Sequence, residues 1–279
     1  MSLHPAADSP EGDRTTPNQT PCNAGSDKRE KKLNVKKTGA GFTTAGFLFA
    51  AATLGSAAAL PGVASAQGLT ANVAVVSDYR FRGVSQSFRR PALQGGADWA
   101  HDRGFYVGTW ASTVDDDVLA DTWGVEWDIY GGYKFPIGAG WTGDVGLLQY
   151  LYPGESLWNT TELYVGASWQ WFSVKYSHSI SDDTFGFTDS RGSGYLDLTA
   201  TYPLREGLNL IAHVGHQRFD NYSDASYTDY RLGATYAWRG LTWGASVIGT
   251  DEDFTFTKPN GKTRDLGKAT VVLSVGATF

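Results

Sequence analysis

The chain predicts an all-β fold: a closed antiparallel transmembrane β-barrel of about 12 strands, with short turns at one end and longer loops at the other. Three observations carry this. In the stretch 125–135, Val125, Trp127, Ile129, Tyr133 and Phe135 share one parity, and Glu126, Asp128, Tyr130 and Lys134 share the other. Strand side chains alternate faces, so one face is apolar and the other charged, as suits a wall between lipid and a wet lumen. A one-residue slip would turn Glu126 and Asp128 to lipid, at up to about 2–4 kcal/mol for a midplane charge. Second, no apolar run of about 18 residues follows residue 67, which excludes a helical membrane protein. Third, the connections between alternating segments are short and long by turns.

The front of the chain divides into a polar extension (1–32), a secretory signal peptide (33–66) and the barrel (67–279). Residues 1–30 lack periodicity; Lys31, Lys32, Lys36 and Lys37 then precede an uncharged stretch ending in Ala64-Ser65-Ala66. A basic region, an apolar region and a small-x-small site predict cleavage near Ala66. Met1 is the single methionine, so the polar extension points to a true start at a non-ATG codon near Leu33 or Val35. Cys22 is the single cysteine, so residues 67–279 have no disulfide and no thiolate site. That segment has 16 Lys and Arg against 24 Asp and Glu, a net charge of −8, with no basic footprint for nucleic acid.

The strands follow in order. The first runs from Leu69 to Phe81, with Val73, Val75, Tyr79 and Phe81 outward and Asp78, Arg80 and Arg82 inward. The second, Ala92–Ala100, places Leu93 and Trp99 out and Asp98 in. A third, Phe105–Ser112, has ambiguous parity. The fourth is Val125–Phe135. The fifth, Trp141–Leu151, turns Asp144 inward; the sixth, Thr161–Trp169, does so with Glu162. Next come Ser173–Ile180 (Lys175 in), Tyr195–Tyr202 (Asp197 in) and Leu208–Gln217 (His213 in). The last three are Tyr227–Trp238 (Asp229 and Arg231 in), Leu241–Ile248 and Lys268–Phe279. Connections after even-numbered strands are short. Those after odd-numbered strands are longer and hold polar clusters such as Asp115-Asp116-Asp117. Short periplasmic turns and long extracellular loops give the same arrangement. Trp99, Phe105, Tyr133, Phe135, Trp141, Trp169, Tyr202, Trp238 and Phe279 gather on the outward parity near the short turns, as a membrane–water girdle does. Tyr79, Phe81 and Tyr230 would form the opposite girdle.

Segments 77–87 (SDYRFRGVSQS), 91–96 (PALQGG) and 104–110 (GFYVGTW) resemble the TorF-type porins, also described as the proteobacterial Gcw_chp family of unknown function. The resemblance implies an outer-membrane channel and supplies no catalytic or substrate-binding residues. Terminal Phe279 after an alternating strand is similar to the signal read by the barrel assembly machinery.

Eight-stranded barrels are filled by side chains and sixteen-stranded ones hold broad channels, so about twelve strands predict a narrow pore. The pore-lining candidates are Asp78, Arg80, Arg82, Asp98, Glu126, Asp128, Glu162, Lys175, Asp197, Asp229 and Arg231. Their acidic excess predicts a mild cation preference; pairing across the wall is the alternative role for the same charges. A lipid-acting barrel enzyme would need a histidine with Ser or Asp in reach. His178 and His216 take the outward parity, His101 lies in a turn and His213 alone faces in, so the reading is non-enzymatic. No cofactor or metal is expected. The partners are outer-membrane lipid, lipopolysaccharide and small hydrophilic solutes. A barrel plugged by a loop keeps the same fold, and 251–265, the longest loop, is the candidate for that.

Overall fold

The computed structural model describes residues 68–120 and 122–279. The extension, the signal segment and the cleavage site near Ala66 lie outside the described residues. Twelve strands form a closed barrel: β1 Gly68–Val76, β2 Ala92–Ala100, β3 Phe105–Thr113, β4 Val125–Gly138, β5 Trp141–Leu151 and β6 Thr160–Trp169; then β7 Phe172–Ser179, β8 Gly194–Arg205, β9 Leu208–Arg218, β10 Tyr227–Trp238, β11 Leu241–Thr250 and β12 Thr270–Thr278. Each strand pairs antiparallel with its neighbours in the chain, and β1 closes on β12 with Val75 opposite Val275. Ala71 and Phe279 exchange both backbone hydrogen bonds, at 3.1 and 2.8 Å, at the seam.

Two of the short connections are two-residue turns whose residues are both left-handed: Ala139-Gly140 (φ 51° and 82°) and Arg239-Gly240 (φ 53° and 75°). This is the turn whose twist matches paired strands. The outer face is apolar along the strands, with Val75, Leu93, Ile129, Leu163, Val165, Leu232 and Val271 exposed. Trp99, Phe105, Tyr133, Trp169, Tyr202 and Trp238 ring its short-turn end. The parity of β3 resolves with Phe105 and Val107 outward and Trp110 and Ser112 buried inward.

One expected element is corrected. Alternation continues in the sequence to Phe81, but β1 leaves the wall after Val76. Residues 77–91 instead fold inward, and their centre is a small hairpin pairing Arg80–Phe81 with Val84–Ser85. Its tip, Arg82-Gly83, is left-handed at both residues (φ 42° and 84°). Tyr79 and Phe81, expected in the outer girdle, are 3% and 0% exposed inside the barrel. Period-two alternation cannot distinguish a wall strand from a short hairpin that keeps the same rhythm.

The long-loop end is filled. Phe81, Val84 and Phe88 from the inturned segment pack with Leu119, Trp158, Phe185, Phe187, Phe219, Phe254 and Leu266 from the other long loops and with Trp110, Tyr150 and Tyr227 of the wall. Phe81, Tyr150 and Phe185 form a triangle of rings with centroids 5.1–6.3 Å apart. Fully burying each of Phe81, Val84 and Phe88 gives about 1.5–3 kcal/mol. The opposing strain is about 1–2 kcal/mol for each left-handed non-glycine residue, here Arg82, Phe88 and Arg89. Burial outweighs this strain, and the buried hydrogen bonds of Tyr79, Arg80 and Arg82 add to it.

Candidate functional site: the barrel lumen

The inward faces of the strands carry a gradient of wetness. Near the loop end Glu126, Asp128, Thr160, Glu162, Tyr195 and Asp229 are buried; near the turn end Lys134 and Ser168 are exposed, with Asp98, Asp144, Lys175 and Asp197 between. The result is a vestibule open toward the short turns and shut at its far end by the hairpin.

The hairpin tip accounts for the closure. Arg82 Nη2 donates to both oxygens of Glu162 on β6 at 2.9 and 2.8 Å, and Nη1 donates to Gln217 Oε1 on β9 at 2.5 Å. The guanidinium also stacks on the Tyr195 ring of β8, 4.1 Å from its centroid. Tyr150 adds a third hydrogen bond to Glu162 at 3.1 Å. Tyr79, at the base of the hairpin, donates its hydroxyl to Glu126 on β4 at 3.0 Å. Gly83 admits no side chain: a Cβ there would lie 2.6 Å from Thr250 Cγ2 and 2.7 Å from Asp229 Cβ. Asp78 and Arg80 brace the hairpin itself, paired at 2.6 Å, with Ser85 donating to Asp78 and Arg80 donating to the Gly83 and Leu266 carbonyls. Asp78, Arg80 and Arg82 are therefore plug residues and not residues of the barrel wall. The longest loop, 251–269, contributes Phe254 and Leu266 to the packed core, but 77–91 is the segment that reaches the lumen charges.

Asp98, Glu126, Asp128, Glu162, Lys175, Asp197, Asp229 and Arg231 all stand on inward faces. On β8–β10, His213 lies between Asp229 (Nε2 to Oδ1 2.9 Å) and Asp197 (Nδ1 to Oδ1 3.4 Å), and Tyr195 donates to Asp229 at 2.8 Å. Arg231 donates to Ser246 at 3.0 Å. His178 and His216 are exposed on the outer face, as their parity predicts.

Tyrosines line the same face: Tyr130 and Tyr164 share the inward parity of their strands, and Tyr106 joins them from β3, whose parity the sequence leaves ambiguous. Tyr106 donates to Asp144 at 2.7 Å and shares a hydrogen bond with Tyr164, while Tyr130 donates to Asp98 at 2.5 Å. Each packs over a glycine of an adjacent strand. A Cβ at Gly132 would stand 2.5 Å from the Tyr106 hydroxyl, and one at Gly146 2.2 Å from that of Tyr164. A glycine beside an inward tyrosine at cross-strand register was the available signal.

Outside the barrel the carboxylates of Asp115, Asp116 and Asp117 lie close enough to hold a metal ion. Lys258 fills that role, its Nζ 2.6 Å from Asp115 and 2.8 Å from Asp117. Burial pulls its ammonium pKa down, but the hydrogen bonds it donates to the two aspartates outweigh this and hold it above the usual lysine value.

A closed twelve-stranded antiparallel barrel with an apolar belt and a charged interior has the fold of the outer-membrane porins. The KdgM porin superimposes with a TM-score of 0.50 at 8% identity, over 75% of this chain and 99% of that one. The NanC porin gives 0.49 at 14% identity, over 76% and 98%. OprD of Pseudomonas aeruginosa gives 0.36 at 10%, over 76% and 65%. No curated protein matches the sequence. The chain belongs to the Gcw_chp family, described as bacterial proteins of unknown function, whose profile matches residues 61–279.

Proposed function

We propose that this protein is a non-enzymatic outer-membrane channel for passive diffusion of small hydrophilic solutes, narrowed at its outer end by the 77–91 segment. The observation that carries this is the inward face, polar and charged along the barrel and wet from the short-turn end up to the hairpin. The finer parts of the reading are membership of the TorF-type porins, location in the outer membrane after cleavage near Ala66, a lipid and lipopolysaccharide surround, and assembly through Phe279. A mild cation preference follows from the excess of lumen carboxylates over lumen cations.

A second reading, a sealed structural or adhesive barrel, is favoured by the dry packing of the hairpin against the wall. Planar-bilayer recording separates the two. Discrete conductance steps with a cation-directed reversal potential in a salt gradient support the channel; steps with an anion-directed potential keep the channel and overturn the preference. A silent bilayer, together with liposomes that do not swell in small sugars, would leave the sealed barrel.

A further inference from the structure

Lys134 on β4 and Asp144 on β5 are direct cross-strand partners. Asp144 faces Gly166, which in turn faces Lys175 on β7. Opposite charges placed this way in a wet lumen ordinarily pair. Here, among the described residues, neither lysine has a carboxylate within ion-pair distance. Each ammonium rests over a tyrosine ring instead: Lys134 Nζ is 5.2 Å from the centre of Tyr106 and Lys175 Nζ is 5.6 Å from that of Tyr164. Tyr106 takes one oxygen of Asp144 through its hydroxyl, and the Tyr106–Tyr164 hydrogen bond locks both rings. The glycines beneath admit these rings at no steric cost, so the crossbar is fixed to the wall. Two ammonium groups and a half-engaged carboxylate thus share one register of the lumen across β4 to β7, with Asp197 of β8 directly opposite Lys175.

We propose that this band binds small zwitterions of the α-amino-acid type, the solute's carboxylate between Lys134 and Lys175 and its ammonium on Asp144. A solute with both charges a few ångströms apart satisfies all three groups at once; one with a single charge leaves the opposite member of the band unmatched. As the solute class of the channel, this rests on the reading above; as a binding site, it does not, because the vestibule is wet whether or not the hairpin lets solutes through.

The test is equilibrium binding to the purified barrel in detergent micelles, read by saturation-transfer NMR. Alanine is compared at constant ionic strength with propionate, isopropylammonium and glycerol. The expected result is that alanine binds at least about tenfold more tightly than each of the other three. Lys134→Met with Lys175→Met, and separately Asp144→Asn, should erase that preference while boiled and unboiled samples still migrate differently on gels. Propionate equal to alanine would reduce the band to an anion site, and glycerol equal to alanine would reduce it to a polar wall; either overturns the proposal. Because wild-type protein suffices for this comparison, misfolding of a variant cannot mask the answer. Conductance without zwitterion preference would sink this inference alone, and preference without conductance would sink the channel alone.

Discussion

Arg82 is the residue on which the closed lumen turns. Its side chain is 3% exposed, against 2% for Glu162, and it has no water to fall back on. Removing one partner of a buried pair costs about 3–5 kcal/mol, because the other is left charged and unmatched. Arg82→Met should therefore release the hairpin tip before it unfolds the barrel, since the wall's own ladder hydrogen bonds do not involve it. In planar bilayers this variant should show larger or longer openings than wild type; unchanged conductance would mean that the guanidinium does not hold the closure. Glu162→Gln, which keeps an acceptor for Arg82, should give a weaker version of the same phenotype.

The inturned segment and its neighbouring loops act as one element, tied together by the buried ammonium of Lys258. The ammonium's pKa in the folded state is above its free value, so its stabilising contribution is whole below about pH 10.4 and is lost as pH rises through the raised value. In urea unfolding, the advantage of wild type over Lys258→Met should hold constant from pH 7 to 10 and shrink above that. A difference that did not shrink above pH 10 would mean that the Lys258 charge does not hold this contact. Replacing residues 79–87 with a Gly-Ser linker should leave a folded barrel with several-fold higher conductance. How far this element could be read beforehand depends on its rhythm. The inward place of Glu126, Asp128, Glu162 and Asp229 was legible because their strands continue without a break. Tyr79, Phe81 and Arg82 kept that rhythm while leaving the wall. The clue was Arg82-Gly83, which matches the X-Gly turn at Arg239-Gly240, but a hairpin of two paired residues a side is too short for periodicity to reveal. Which loop residues meet in the packed core was not legible at all, because loops 114–124, 180–193 and 251–269 come together only after closure.

Across the molecule, the closure of the barrel follows from one constraint: no sheet edge can face lipid, so the last strand must meet the first. The pair Val75 and Val275 tests this directly. They stand opposite across the seam, and paired Cα atoms in antiparallel ladders lie about 4.5–5.5 Å apart, within disulfide reach. Residues 67–279 contain no other cysteine. Val75→Cys with Val275→Cys should form a disulfide on oxidation and yield a denatured chain that runs anomalously on gels until reduced. Failure to crosslink in a folded barrel would argue against the β1–β12 closure.

The seam also fixes a sequence of events. The hairpin hangs between β1 and β2, yet its tip touches β6, β8 and β9, and Gly83 lies against residues of β10 and β11. Once Phe279 has zipped onto Ala71, the cylinder offers no lateral opening through which a peptide arm could be drawn in. The arm must either be tucked inside while the cylinder is still an open sheet, or be pushed in later through the extracellular mouth. In the first case, Arg82 and Tyr79 would already be seated on Glu162 and Glu126 when the final strand arrives, giving the curling sheet an internal mandrel on which to close.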